Sequence, residues 1–109
     1  MDERPMPRVA YYDFDGNEMP DVVEWARYYD RIYAEGKVNV EVTPVGEKYV
    51  STAFQGHDLM HGFGPVPMIF ETMIFPECNR FGVAPNVEIA RKVHQEAVEQ
   101  LLRDRGQEN

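Results

Sequence analysis

The apolar positions of this chain change period along its length, and the changes mark out its elements. Val38, Val40 and Val42 alternate with Asn39, Glu41 and Thr43, the period of a strand with one buried face. Pro44 and Gly46-Glu47 predict a turn into a second strand, Lys48 to Phe54. The run 68–75 is apolar on both faces and reads as a central strand covered on both sides. Between these two runs lies a loop, 56–67, rich in glycine and proline. Two segments take a helical period. Val22, Trp25, Ala26, Tyr29, Ile32 and Tyr33 share a face, with Asp21 placed as N-cap, Glu24 completing a capping-box-like pair, and Gly36 where the helix should end. Val87, Ala90, Val93, Ala97, Val98 and Leu101 form the stripe of a last helix, from an Asn86 cap to about Arg103. Val9 to Phe14 predicts a further strand, stopped by Asp15-Gly16-Asn17, while 76–85 reads as a connector and 1–8 and 104–109 as loose ends.

The resulting order, β-α-β-β-β-α with short connections, predicts one α+β domain over 1–109: an antiparallel sheet of three to four strands with two helices packed on it. The tyrosines and tryptophan of the first helix read as core rather than as a stacking platform for bases.

Composition narrows the function. A hydrophobic content of 43% and aromatic content of 12% belong to a folding domain. Cys78 is the only cysteine, which excludes an internal disulfide and a four-cysteine zinc site. Together with a charged start, Met1-Asp-Glu-Arg-Pro, this favours a cytoplasmic protein. No apolar run approaches the ~20 residues needed to span a bilayer. The net charge of −8 disfavours direct binding to nucleic acid or anionic lipid. Residues 1–35 hold nine acids against four bases, so Asp13, Asp15, Glu18, Asp21 and Glu24 are the candidates for a face that docks on a basic partner.

Ionisable side chains crowd at the loop. His57, Asp58 and His61 supply nitrogen and oxygen donors suited to zinc, manganese or iron, and Glu71 on the next strand can add a fourth. Glu71 lies in an apolar run, so its carboxylate must be paired, hydrogen-bonded or protonated, and it is a candidate acid or base. His94 sits inside the last helix's stripe, where it is either a hydrogen-bonded core residue or the partner of Glu71 in proton transfer. Phe63 is the loop aromatic for a ligand or partner. A nucleophile elbow, a P-loop and a dinucleotide fingerprint are absent, and Glu77 beside Cys78 opposes an activated thiol.

The block Val50-Ser-Thr-Ala-Phe-Gln-Gly-His-Asp-Leu-Met-His-Gly-Phe-Gly, followed by Met68-Ile-Phe-Glu-Thr-Met-Ile-Phe, resembles a group of short bacteriophage, prophage and actinobacterial proteins. Their pattern runs V-S-T-V-F-L-G-L-D-H-G-F-G and then L-F-E-T-M-V-F, with a tryptophan segment like Glu24-Trp25-Ala26 before it. This chain departs from it in placing Leu59-Met60 between Asp58 and His61, and in having Pro76-Glu-Cys where the group has glycines. The resemblance implies a small phage-type accessory protein and carries no established activity.

Three expectations follow, in this order. The first is an accessory protein that binds or inhibits a host protein without catalysis or cofactor. The second is sequestration of a small nucleotide by the 56–67 loop, and the third a metal-assisted hydrolase using His57, Asp58, His61 and Glu71. An exposed edge strand, 9–14 or 38–43, would also permit a homo-oligomer.

Overall fold

The computed structural model describes residues 10–106. Its order is α1 (Val22–Ala34), β1 (Asn39–Val45), β2 (Lys48–Phe54), β3 (Phe70–Phe75), β4 (Asn79–Ala84) and α2 (Val87–Gly106). The strands form one antiparallel meander, β1-β2-β3-β4. The described residues thus form an α+β fold with a four-stranded antiparallel sheet and two helices, the class that the patterning predicts.

Asp21 caps α1 by accepting from the N–H groups of Val23 and Glu24. The helix closes with paired bonds from Gly36 N–H to the Tyr33 carbonyl and from Lys37 N–H to the Ile32 carbonyl. Its inner side is Trp25, Tyr28, Tyr29 and Ile32, while Val22 and Tyr33 are exposed. The Tyr29 hydroxyl reaches the Phe54 carbonyl at 3.4 Å, and Ile32 joins Val38 and Phe54 in the core, so α1 closes the end of the sheet where β2 finishes. The α2 helix begins at the Asn86 cap, whose Oδ1 accepts from Ile89 N–H, and continues to Gly106, beyond the expected end.

Three segments take a conformation that the sequence pattern does not predict. Among the described residues, segment 10–14 makes the isolated bridges Tyr11–His57 and Tyr12–Glu18 and joins no sheet strand; Val9, its predicted first residue, and the 1–8 arm lie outside the described residues, as do 107–109. Residues 79–84 form the fourth strand instead of a connector. A Cβ at Gly82 would lie 2.9 Å from Val93 Cγ1, so this glycine marks where β4 passes tightly under α2. In β1 a bulge breaks the alternation, with Asn39 opposite Ala53 but Glu41 opposite Thr52. Val38 stays buried, Val42 turns outward at 53% exposure, and Glu41 and Thr43 turn toward α2.

α2 lies against all four strands, and no other described helix or strand covers the opposite face. β3 is thus covered on one side, not two. The core beneath α2 has two apolar halves. Phe54, Ile69, Phe70, Ala84 and Ala90 fill one, and Val45, Val50, Ala97, Val98 and Leu101 the other. Among the described residues no helix is long and apolar enough to cross a membrane.

The 10–14 segment is held by Trp25. Its indole N–H donates to the Tyr12 carbonyl at 3.0 Å, its ring packs tilted against Tyr11 with centroids 4.5 Å apart, and Tyr12 N–H reaches the Gly56 carbonyl at 2.8 Å. A Cβ at Gly56, where φ is +75°, would lie 2.7 Å from Trp25 Cζ2. Gly56→Ala should therefore lose the backbone freedom of glycine and also force the indole away. Gly16, at φ +89° with nothing within 4 Å, isolates the first effect. Urea denaturation should show a loss of about 1–2 kcal/mol for Gly16→Ala and about 1–3 kcal/mol more for Gly56→Ala. Equal losses would mean that the indole contact contributes nothing.

Candidate functional site

Between the two apolar halves lies a polar layer that the spacing of α2 and the register of β2 and β3 create. Thr52 and Thr72 are directly opposed across the strands, one residue pair from Val50–Ile74 and one from Phe54–Phe70 on the same face. His94 projects onto them from α2, fully buried, between Ala90 and Ala97. Its Nδ1 lies 2.8 Å from Thr52 Oγ1, which lies 2.6 Å from Thr72 Oγ1. Its Nε2 lies 2.8 Å from Thr43 Oγ1 and 3.2 Å from Glu41 Oε2. An ionised carboxylate only accepts, so the proton belongs on Nε2, Nδ1 accepts from Thr52, and Thr52 accepts from Thr72. No buried side-chain nitrogen or oxygen among the described residues is left without a partner. Burial pushes the His94 pKa below its ordinary value of 6.5, and the Glu41 carboxylate opposes without prevailing.

His94 therefore meets Glu41, Thr43 and Thr52, with Thr72 behind Thr52, and not Glu71. Glu71 points to the sheet's other face, where Arg80 Nε lies 2.7 Å from its Oε2 and Gln55 donates to Oε1 at 3.5 Å. The requirement that this carboxylate be paired is met by Arg80, nine residues on along the β3–β4 hairpin. Glu41 and Thr43 were not legible as partners of His94, because the β1 bulge is what re-aims them.

The loop histidines do not assemble with the acids. Asp58 turns inward upon its own loop: Oδ1 accepts from Met60 and Met68 N–H, both at 3.0 Å, and Oδ2 from Gly62 N–H at 2.8 Å. Partial burial raises its pKa, but the N–H donors of Met68, Met60 and Gly62, with the charge of His61, outweigh that and hold it below the ordinary aspartate value. His57 Nδ1 lies 3.3 Å from the Gln55 carbonyl, and His61 is exposed at a backbone φ of 52°. Among the described residues no three His, Cys, Asp or Glu side chains are grouped to hold a metal ion. At the loop's tip Phe63 is 90% exposed, flanked by exposed Met60 and Val66.

Of the acids in the first third, two serve local structure. Asp13 accepts from the N–H groups of Asp15 and Asn17 and closes that turn, and Asp21 is the α1 cap. Asp15, Glu18 and Glu24 are exposed.

Thr52→Val should leave His94 Nδ1 without a donor and the Thr72 hydroxyl without its acceptor, at a loss of about 1–3 kcal/mol by urea denaturation. Adding His94→Leu to Thr52→Val should cost less than the sum of the single changes, because both partners are then apolar; additive losses would refute the coupling. The depressed His94 pKa also sets a pH dependence. The unfolded chain binds the His94 proton more readily, so stability falls as pH drops through and below about 6.5 and levels once the folded form is protonated too. The depressed Asp58 pKa acts in a separate, more acidic window, with stability lost as pH falls through the carboxylate range. Stability measured against pH in wild type and His94→Gln should differ in slope only in the histidine window. Comparison with family models, curated proteins and solved structures returns no match for this chain.

Proposed function

We propose that this chain is an accessory protein of the phage type that acts by gripping a partner protein, with Phe63 as its anchor, and not by catalysis. The observation that carries the reading is a phenylalanine 90% exposed at the tip of a loop whose backbone is pinned at three points by one carboxylate. An aromatic ring held out on a pre-ordered loop loses little freedom on docking, which suits it to fill an apolar pocket on another protein. Met60 and Val66 extend the apolar contact around it.

Charge supports a basic partner. From Asp13 to Glu24 the chain has five acids and no base, and the Tyr11–His57 bridge ties the start of that segment to the loop's base. An acidic rim beside an apolar anchor steers a basic surface onto it and weakens with salt. The His94 layer supports the same reading from the other side. Its His94, Thr52 and Thr72 are fully buried, and their ring nitrogens and hydroxyls are taken up by one another and by β1.

The test is a partner retained by the immobilised chain, purified, and titrated against wild type and Phe63→Ser. The variant should keep the wild-type melting temperature, because the ring is solvent-exposed, and should lose about 2 kcal/mol or more of binding free energy. Affinity for wild type should fall as salt rises. Equal affinity of the partner for both proteins, or the absence of any retained partner, would overturn the proposal.

A further inference from the structure

A cleft of about 420 Å³ opens between α1, the start of β1 and the first turns of α2, and no residue of the 56–67 loop lines it. Phe14, Ile32, Val40 and Val87 give it an apolar floor, and the Tyr28 ring forms a wall. The Tyr28 hydroxyl already accepts from Phe14 N–H at 2.8 Å, so this wall is fixed in place. The volume is at the small end of those that hold organic ligands.

Its polar groups select the sign and the number of charges. Lys37 and Arg91 reach the cleft, with Asp15 and Asn39 facing them. Lys37 is already engaged by Glu35 at 2.8 Å. Arg91 is different: its acidic contact among the described residues is Glu41 Oε1 at 3.9 Å, beyond hydrogen-bond reach. A planar guanidinium fork thus stands over an apolar floor with its donors available, in a chain of net charge −8. We infer that the cleft binds a small amphipathic monoanion, a carboxylate borne on a ring or branched hydrocarbon, with Arg91 clamping the carboxylate and the apolar floor taking the body. A nucleoside polyphosphate is disfavoured, because its several charges would meet one available cation and the carboxylates of Asp15, Glu35 and Glu41.

The neighbouring polar layer provides a reporter. Glu41 stands between Arg91 and His94, with Oε1 toward the first and Oε2 3.2 Å from Nε2 of the second. A carboxylate that draws Arg91 away changes the field at His94 Nε2, and the imidazole is readily followed in a chain with three histidines.

The experiment is an NMR titration of the full chain with phenylacetate and isovalerate, with phenylacetamide as the neutral counterpart. One or both acids should give saturable shifts at millimolar concentration that map to the cleft and to the His94 ring, while the amide binds at least tenfold more weakly. Arg91→Gln should weaken the acid at least tenfold with its melting temperature unchanged, and Arg91→Lys should lose less, since it keeps the charge but not the fork. The inference is overturned by an absence of saturable shifts for both acids, by equal binding of the amide, by an Arg91→Gln protein that binds as wild type does, or by shifts confined to the 56–67 loop.

Discussion

Burying one imidazole between helix and sheet constrains the rest of this fold. A neutral histidine deep in a small core needs a partner for each ring nitrogen, and an unmet one costs about 1–3 kcal/mol. Three strands supply those partners: Thr43 and Glu41 from β1, Thr52 from β2, and Thr72 from β3 through Thr52. The layer forms only at one register of β1, β2 and β3 and one rotation of α2. A one-residue slip of β2 would turn Thr52 to the open face and strand His94 Nδ1. The apolar halves on either side are tolerant of sliding, since one leucine or valine contact resembles another; the polar layer between them is not.

The rigidity this gives underlies the loop. The 56–67 segment leaves from the end of β2 and returns to β3, the two strands that Thr52–Thr72 lock together. Gln55 N–H bonds the Ile69 carbonyl, and Leu59 N–H the Met68 carbonyl, so the loop's two ends are tied below the Asp58 cradle. The Trp25 indole presses against Gly56 and pins the 10–12 segment to the same base. Function displayed on a loop requires a scaffold that holds its ends, and here both a strand pair and an indole do so.

Much of this architecture can be read from residue types, and the failures share a physical cause. Asp21, Asn86 and Gly36 were legible as caps because capping is local chemistry that tertiary packing does not alter. The strand Lys48–Phe54 was legible because its burial alternates along its inner half. Misread segments were those where a neighbour decides the conformation. Asn79–Ala84 carries glycine and flanking prolines, yet becomes a strand because Gly82 lets α2 approach. The β1 alternation ends at a bulge that no residue of Val38-Asn-Val-Glu-Val announces. At the candidate site, burial of His94 was foreseeable from its place in the helical stripe. Its link to Glu41 was not, since strict alternation assigns Glu41 to solvent.

That bulge ties the two halves of the functional picture together. One extra residue in β1 lets Val40 pack toward the core and line the cleft while Glu41, next in the chain, meets His94. Without it Val40 and Glu41 would fall on opposite faces, and either the cleft would lose its floor or the histidine its carboxylate. A bulge also raises local twist, and the cleft that Arg91 lines lies at this bulged end of β1, with Asn39 and Val40 in its lining. The same irregularity that completes the buried layer therefore leaves a charged, apolar-floored opening beside it. A change at Arg91 in that opening reaches His94 through one side chain between them, Glu41.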